Sequence, residues 1–316
     1  MTFGNIAIIG LGLLGGSIGL AVREHLPAAA TTGYDADPAT RARAAARGLV
    51  STVCESAPDA VRNSDLVILC VPVGAMAEAA AEIAKALPAG AVVSDVGSSK
   101  ESVLKALAKA LPGATIIPSH PVAGTENSGP DAGFASLFQN RWCIITPPDN
   151  ADPASVEALS AFWKALGANV EIMTPAHHDL VLAVTSHLPH LIAYTIVGTA
   201  SDLEDVTQGE VIKYSAGGFR DFTRIASSDP TMWRDIFLAN KDAVLEMLGR
   251  FSEDVSELTR AIRRGDGDAL FEIFSERRAI RRSIVEMGQD SPAPDFGRPH
   301  PGLPGEPLPR PYADKD

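Results

Sequence analysis

"NIAIIGLGLLGGSIGLAV", residues 5–22, decides the first half of the chain. An apolar run at 5–9 ends on "GLGLLG" (10–15), a GxGxxG pattern, and a segment of helical character follows. Alone the pattern is weak. Here a strand precedes it, a helix follows it, and Asp35 closes the next apolar run 20 residues after Gly15, which is the context a dinucleotide-binding turn requires. Gly10 makes the tight turn, Gly12 lets the backbone approach a pyrophosphate, and Gly15 lets helix and strand pack closely. Leu13 and Leu14 share that turn, where the helix presents free N–H groups and its positive dipole end to the phosphates. Asp35 can accept hydrogen bonds from a ribose 2′-hydroxyl and would repel a 2′-phosphate, so the expected cofactor is NAD; Arg41 and Arg43 downstream soften that preference. The stretch is not a targeting signal: no Lys or Arg precedes it, and five glycines (Gly10, Gly12, Gly15, Gly16, Gly19) interrupt it.

Outward from this turn, short apolar runs alternate with helical patterns. Runs suited to buried parallel strands are "NIAIIG" (5–10), "TTGYD" (31–35), "LVILCV" (66–71), "AVVSDV" (91–96), "TIIPS" (115–119) and "WCIIT" (142–146). Helix formers lie between them, as at 74–87 and 99–111, and a further helix fits 153–166 with a short strand near 169–172. The alternation predicts an α/β fold with an N-terminal Rossmann-type doubly wound sheet. From about residue 174 long helical segments take over, roughly 175–205, 230–264 and 267–288. The expected division is a dinucleotide-binding domain at 1–174, an all-helical substrate and dimerisation domain at 175–290, and a tail at 291–316. Long helices with apolar faces and no sheet to cover predict a homodimer through the helical domain. The tail carries eight prolines in 26 residues and is expected to be disordered.

The bulk numbers bound the partners. A chain of 316 residues with 46% hydrophobic content suggests two domains. A net charge of -12 argues against nucleic acid or an anionic membrane as partner, because neither is attracted to such a surface. An anionic small molecule then requires locally concentrated positive charge. The apolar stretch 180–197 holds His187, Pro189 and His190, groups costly in lipid, and is not read as a membrane span. Cys54, Cys70 and Cys143 form no CxxC and read as reduced thiols in a cytoplasmic protein.

The chemistry is expected at the carboxyl edge of the sheet, where ligands bind in open α/β folds. "CVP" (70–72) puts Val71 and Pro72 there, "DVGSSK" (95–100) adds Ser98, and "SHPVAG" (119–124) adds His120 on a strand-end loop. A neutral imidazole beside a nicotinamide can accept the proton of a hydroxyl that is losing hydride, and Ser98 can hold the same hydroxyl or orient the ring; a structural, turn-capping histidine is the alternative. In the helical half, His187, His190 and Tyr194 share one helix face, and Pro189 is expected to kink that helix or to begin a new one capped by Ser186. With His177 and His178 nearby, the histidine pairs would suit zinc, but HExxH and a third spaced ligand are missing, and no metal is expected. "GGFRDFTRIASSDPTMWRDIF" (217–237) groups Arg220, Asp221 and Arg224; Asp221 can fix one arginine while the other grips a carboxylate, or the three form a surface ion-pair cluster.

With those residues in view, the chain resembles the prephenate/arogenate dehydrogenases of tyrosine biosynthesis over about residues 4–288. The likeness rests on "GLGLLGGSIG", "DVGSSK", "HPVAGTENSG", "SHLPH" and "GGFRDFTRIASSDPTMWRDIF" in that order. It implies an NAD-dependent oxidative decarboxylation: hydride leaves the ring carbon bearing the hydroxyl, the ring carboxylate departs as carbon dioxide, and the ring becomes aromatic. It makes His120 the acceptor for the substrate hydroxyl, assisted by Ser98, and Arg224 the ligand of a substrate carboxylate. It has His178, His187, His190 and Asp221 lining or gating the cleft, with Glu126 and its neighbour Thr125 at the entrance. Neither a regulatory domain nor a chorismate mutase segment is apparent, so the dehydrogenase alone is expected, without feedback through an appended domain. Two alternatives remain: a β-hydroxyacid dehydrogenase using Lys213 or Lys241, and a non-catalytic NAD-binding sensor.

Overall fold

The computed structural model describes residues 2–125, 127–202 and 217–284. Glu126, Lys213 and the proline-rich tail lie outside the described residues. Strands β1 (Asn5–Ile9), β2 (Ala30–Tyr34), β3 (Thr52–Val53), β4 (Leu66–Leu69), β5 (Val92–Asp95) and β6 (Thr115–Ile116) form a parallel sheet in the order β3-β2-β1-β4-β5-β6. Helices α1 (Leu13–His25), α2 (Pro38–Arg47), α3 (Ala57–Val61), α4 (Met76–Ile83) and α5 (Glu101–Ala110) lie between them in the chain. The order reverses between β1 and β4, so the glycine turn after β1 opens onto the crevice where such sheets bind ligands. Strand side chains alternate between two cores. Ile6, Ile8, Leu66, Ile68 and Val92 pack with α1, while Ala7, Ile9, Val67, Leu69 and Val93 pack with α3, α4 and α5. Both faces are buried, which is why these strands read as unbroken apolar runs.

A second, smaller sheet corrects the expectation of one parallel set. It holds β7 (Ser119–Pro121), β8 (Trp142–Ile145) and β9 (Asn169–Ile172), with β7 antiparallel to β8 and β8 parallel to β9. The run "TIIPS" is divided between the two sheets. Pro118 has no N–H to offer a ladder, and the chain leaves the first sheet there. Helix α6 (Pro153–Ala165) covers β8: Cys143 and Ile145 share a core with Phe162 and Trp163.

In the helical half, α7 (Pro175–Leu182) is capped by the Thr174 side chain and runs through one π turn (Ala183–His187) into α8 (Leu188–Asp202). Pro189 therefore neither breaks nor restarts the helix. The wider π turn absorbs its missing N–H, and the carbonyl of Ser186 is taken by the His190 ring at 2.8 Å. The whole run Pro175–Asp202 is long and apolar enough to cross a membrane by length and composition. Its His178, Asp179 and His187 are nevertheless buried in a polar network. Helices α9 (Gly217–Thr223), α10 (Pro230–Ala239), α11 (Lys241–Arg264) and α12 (Gly267–Ile284) follow. The single helix expected over 230–264 is two, because Asn240 leaves helical geometry and spends its buried side chain on Asp179 and His187. The buried cluster of this half is small (Ala183, Val244, Met247), while Ile262 and Phe271 stand 66% and 72% exposed.

Candidate active site

The glycine turn is fixed by sterics. Gly10 has φ of 100°, and a Cβ there would lie 2.6 Å from the Cys70 carbonyl oxygen. A Cβ on Gly15 would lie 1.9 Å from the Gly10 carbonyl oxygen, so β1 and α1 close on each other only through hydrogen. A Cβ on Gly12 would meet nothing within 4 Å, and Gly12 caps α1 without any side chain on the first-turn N–H groups. That open space over a helix N-terminus fits a pyrophosphate, with Leu13 and Leu14 in the same first turn. Asp35 is held by Leu11 N–H at 2.8 Å and Asp37 N–H at 3.0 Å, and its remaining lone pairs suit a ribose diol. Neither arginine that softened the preference for NAD is free. Arg41 donates to the Asp35 carbonyl at 2.9 Å and pairs with Glu55 at 3.2 Å, while Arg43 turns to Asp131 at 2.6 Å. A 2′-phosphate would meet Asp35 without a ready cation.

Val71 and Pro72 follow β4, and Ser98 follows β5, its neighbour in the sheet. Ser98 is half-buried, and its hydroxyl makes no hydrogen bond among the described residues. His120 is not on a loop but on β7, 7% exposed, and β7 is tied to the end of β5. Ser119 Oγ lies 3.0 Å from Ser94 Oγ and donates to the Asp95 carbonyl at 2.8 Å. Lys100, fully buried, bonds the Asp95 carboxylate and donates to the Ser119 carbonyl at 2.7 Å. Burial pushes Lys100 down and Asp95 up, each opposed by the other's charge. The pair clamps β7 beside β5 and so brings His120 to the edge that Pro72 and Ser98 share.

Behind His120 stands His178, not lining a cleft but fully buried. His120 Nδ1 and His178 Nε2 are 2.8 Å apart, and His178 Nδ1 is 2.8 Å from Asp179 Oδ1. Asn240 Nδ2 donates to the Asp179 carbonyl at 2.8 Å and lies 3.1 Å from His187 Nδ1. The Nε2 of His187 and the Nε1 of Trp233 are buried without a partner among the described residues. His190 stacks on Trp233, ring centroids 3.6 Å apart, and Tyr194 donates to the Ser228 carbonyl at 2.8 Å, so His187, His190 and Tyr194 all face the α10 region. Burial is the first cause holding the imidazoles below their ordinary pKa: His120 well below, His187 down to about 4, His178 against the opposing pull of Asp179, and His190 with help from the charge of Arg224.

Asp221 pairs with Arg220 at 3.1 Å on the surface. Arg224 makes no ion pair among the described residues and is left as the cation beside His190. Thr125 does not join the cluster: it is exposed, and its hydroxyl accepts Asn127 N–H at 3.2 Å within its own turn. Lys241 lies on the surface beside Asp242. Sequence reasoning missed Lys100, Asp179, Trp233 and Asn240. Lys100 ends "DVGSSK", Asp179 follows His177 and His178 directly, and Trp233 lies within "GGFRDFTRIASSDPTMWRDIF", so each stands near a residue that sequence reasoning did find.

Residues 18–172 match the family model described as prephenate dehydrogenase, nucleotide-binding domain, and residues 174–276 match that described as prephenate dehydrogenase, dimerization domain. The chain is 45% identical over 282 residues to a cyclohexadienyl dehydrogenase of Zymomonas mobilis, covering 89% of this chain and 96% of the relative. It is 33% identical over 281 residues to a prephenate dehydrogenase of Bacillus subtilis, covering 88% and 76%. A crystal structure of prephenate dehydrogenase from A. aeolicus in complex with hydroxyphenyl propionate and NAD+ matches with a TM-score of 0.84 at 33% identity, covering 90% of this chain and 99% of that one.

Proposed function

The chain belongs to the prephenate dehydrogenase family, and on that premise we propose that His120 is the group that accepts the substrate hydroxyl's proton in the family's reaction. That reaction is the NAD-dependent oxidative decarboxylation of prephenate or arogenate, giving 4-hydroxyphenylpyruvate or tyrosine with carbon dioxide and NADH. NAD supplies the hydride acceptor; Gly10, Gly12, Leu13, Leu14, Gly15 and Asp35 would hold it, with Val71, Pro72 and Ser98 beside its nicotinamide end. The observation that carries the reading is a buried histidine clamped to the carboxyl end of β5, on the sheet edge that the glycine turn opens. His120 takes the hydrogen bond of the hydroxyl as its carbon loses hydride, and Ser98 offers a second polar contact to the same oxygen. Arg224, free of carboxylate partners among the described residues, binds a substrate carboxylate. His190, His187 and Asp221 shape that end of the cleft. Aromatisation drives the carboxylate's departure, so the protein's part is chiefly positioning.

Either substrate is accepted in this reading. A second cation would favour prephenate, but Arg220 is spent on Asp221. The exposed apolar residues of α11 and α12, with a family model named for dimerisation, support a homodimer through the helical domain, and three free thiols suit the cytoplasm. The test is NADH formation from NAD or NADP with prephenate or arogenate, wild type beside His120→Asn. Turnover with NAD and a loss of kcat of about 10²–10⁴ in the variant are expected. Unchanged kcat in His120→Asn would remove His120 from the chemistry.

A further inference from the structure

We propose that Asp179 is a positioning residue that sets the tautomer of His120 through His178. The inference deepens the reading of His120 given above and rests on it for the use made of that imidazole. A carboxylate only accepts hydrogen bonds, so the proton between Asp179 Oδ1 and His178 Nδ1, 2.8 Å apart, belongs to the imidazole. In a neutral His178 the other nitrogen, Nε2, is then a lone pair. It lies 2.8 Å from His120 Nδ1, which must donate to it. His120 is thereby left with a bare Nε2, a nitrogen with no partner among the described residues, and this is the form able to accept a hydroxyl's proton. Burial keeps both rings neutral, and the charged or titratable groups facing them are Lys100, Asp95, Asp179 and His187.

Asp179 is itself held on every side. Its Oδ1 accepts Lys100 N–H at 2.7 Å and its Oδ2 accepts Glu101 N–H at 3.0 Å, while its carbonyl accepts Asn240 Nδ2 at 2.8 Å. The two amides begin α5, whose own N-cap residue Lys100 provides no side-chain cap. A carboxylate 79 residues later in the chain therefore caps this helix, and it cannot swing away from His178 without uncapping it. The orientation of the imidazole pair is thus fixed by the packing of α7 on α5.

If Asp179 were only a helix cap, Asp179→Asn would lose one of the two cap bonds, because its amide has a single oxygen for the Lys100 and Glu101 N–H groups, and would leave kcat and both tautomers in place. If it sets the tautomer, Asp179→Asn with its oxygen on Glu101 N–H offers His178 Nδ1 an N–H and reverses the chain: His178 Nε2–H donates to His120 Nδ1, and His120 Nε2 becomes a donor. We expect kcat to fall roughly a hundredfold or more, the scale on which a wrong imidazole tautomer acts, with KM moving less than about threefold because no substrate contact is lost. The tautomers are read directly by long-range ¹H–¹⁵N correlation on the full-length protein, assigned with His120→Gln and His178→Gln. Both rings should be Nδ1–H in the wild type and Nε2–H in Asp179→Asn. A wild-type His120 carrying its proton on Nε2 would overturn the proposal, as would Asp179→Asn with reversed tautomers and unchanged kcat. Should Asp179→Asn not fold, or keep its oxygen on His178 and with it both tautomers, the wild-type spectrum decides alone. Nδ1–H tautomers in a protein that turns over neither substrate would uphold the relay and sink the proposed reaction instead.

Discussion

The glycine turn at 10–15 and the histidine cluster behind β7 are built on different physics. The turn is six consecutive residues and one carboxylate, and at Gly10 and Gly15 it is held by distances that a single Cβ would violate. The cluster is drawn from β7, α7, the π turn and the junction of α10 and α11, joined by hydrogen bonds across as many as 61 residues. Shape decides the first and proton placement decides the second. The two should therefore fail in different ways, one by clash and the other by charge.

The sharpest break of that contrast is within the turn. Gly15→Ala drives a Cβ into backbone that cannot move aside, and a loss of more than about 4 kcal/mol of stability, or failure to fold, is expected. Gly12→Ala meets open space and should keep stability within about 1 kcal/mol. Its NAD affinity should nevertheless fall by about tenfold or more, since the methyl occupies the pyrophosphate's approach. Urea unfolding and NAD titration of both variants give the two numbers; equal effects on stability would erase the distinction. Next is the joint between the regions. Lys100→Met strands the Asp95 carboxylate in the interior and should cost about 3–5 kcal/mol. Asp95→Asn in the same chain should return much of it, because the uncompensated charge is then gone; denaturant midpoints of the single and double variants test this. Smaller again, Arg224→Ala should raise KM for prephenate about 10- to 100-fold and leave the unfolding midpoint where it was, since the exposed guanidinium pairs with no carboxylate among the described residues. A shifted midpoint with KM unchanged would make it a structural residue.

The same contrast explains what was legible in the sequence. The turn could be read because its reasons are local: glycine spacing, a strand before, a helix after, and Asp35 at a set distance. The continuously apolar strands were legible for a similar reason, since burial on both faces leaves no alternation to misread. The division of "TIIPS" between two sheets was not, although Pro118 marks it, because a missing N–H says where a ladder stops and not where the chain pairs next. Asp179 and Lys100 escaped for a physical reason. A charged residue is expected at the surface, and each is buried only because its partner comes from a distant segment: Asp179 on the start of α5, Lys100 against β7. His120, His190 and Arg224 stand out in the sequence by residue type, whereas the contacts around the His120 and His190 rings belong to the tertiary fold.

The gentlest perturbation, acid, acts on the cluster and spares the turn. Its histidines have native pKa values lowered by burial, while in the unfolded chain imidazole titrates near about 6.5. Above that value neither state binds the proton, and the group contributes nothing to the pH dependence. Below it the unfolded chain takes up protons that the native cluster refuses, so stability falls as pH falls, by about 1.4 kcal/mol per pH unit for each such histidine until its native value is reached. His187, lowered to about 4, is silent above about pH 6.5 and acts from there down to about 4. Stability of the wild type measured across that window should therefore decline with a slope set by several buried imidazoles. His187→Gln, which keeps a side chain able to bond Asn240, should reduce the slope by one proton. The difference between the two curves is the contribution of His187. An unchanged slope would mean that His187 is already protonated in the native protein, and that charge rather than neutral burial organises this end of the site.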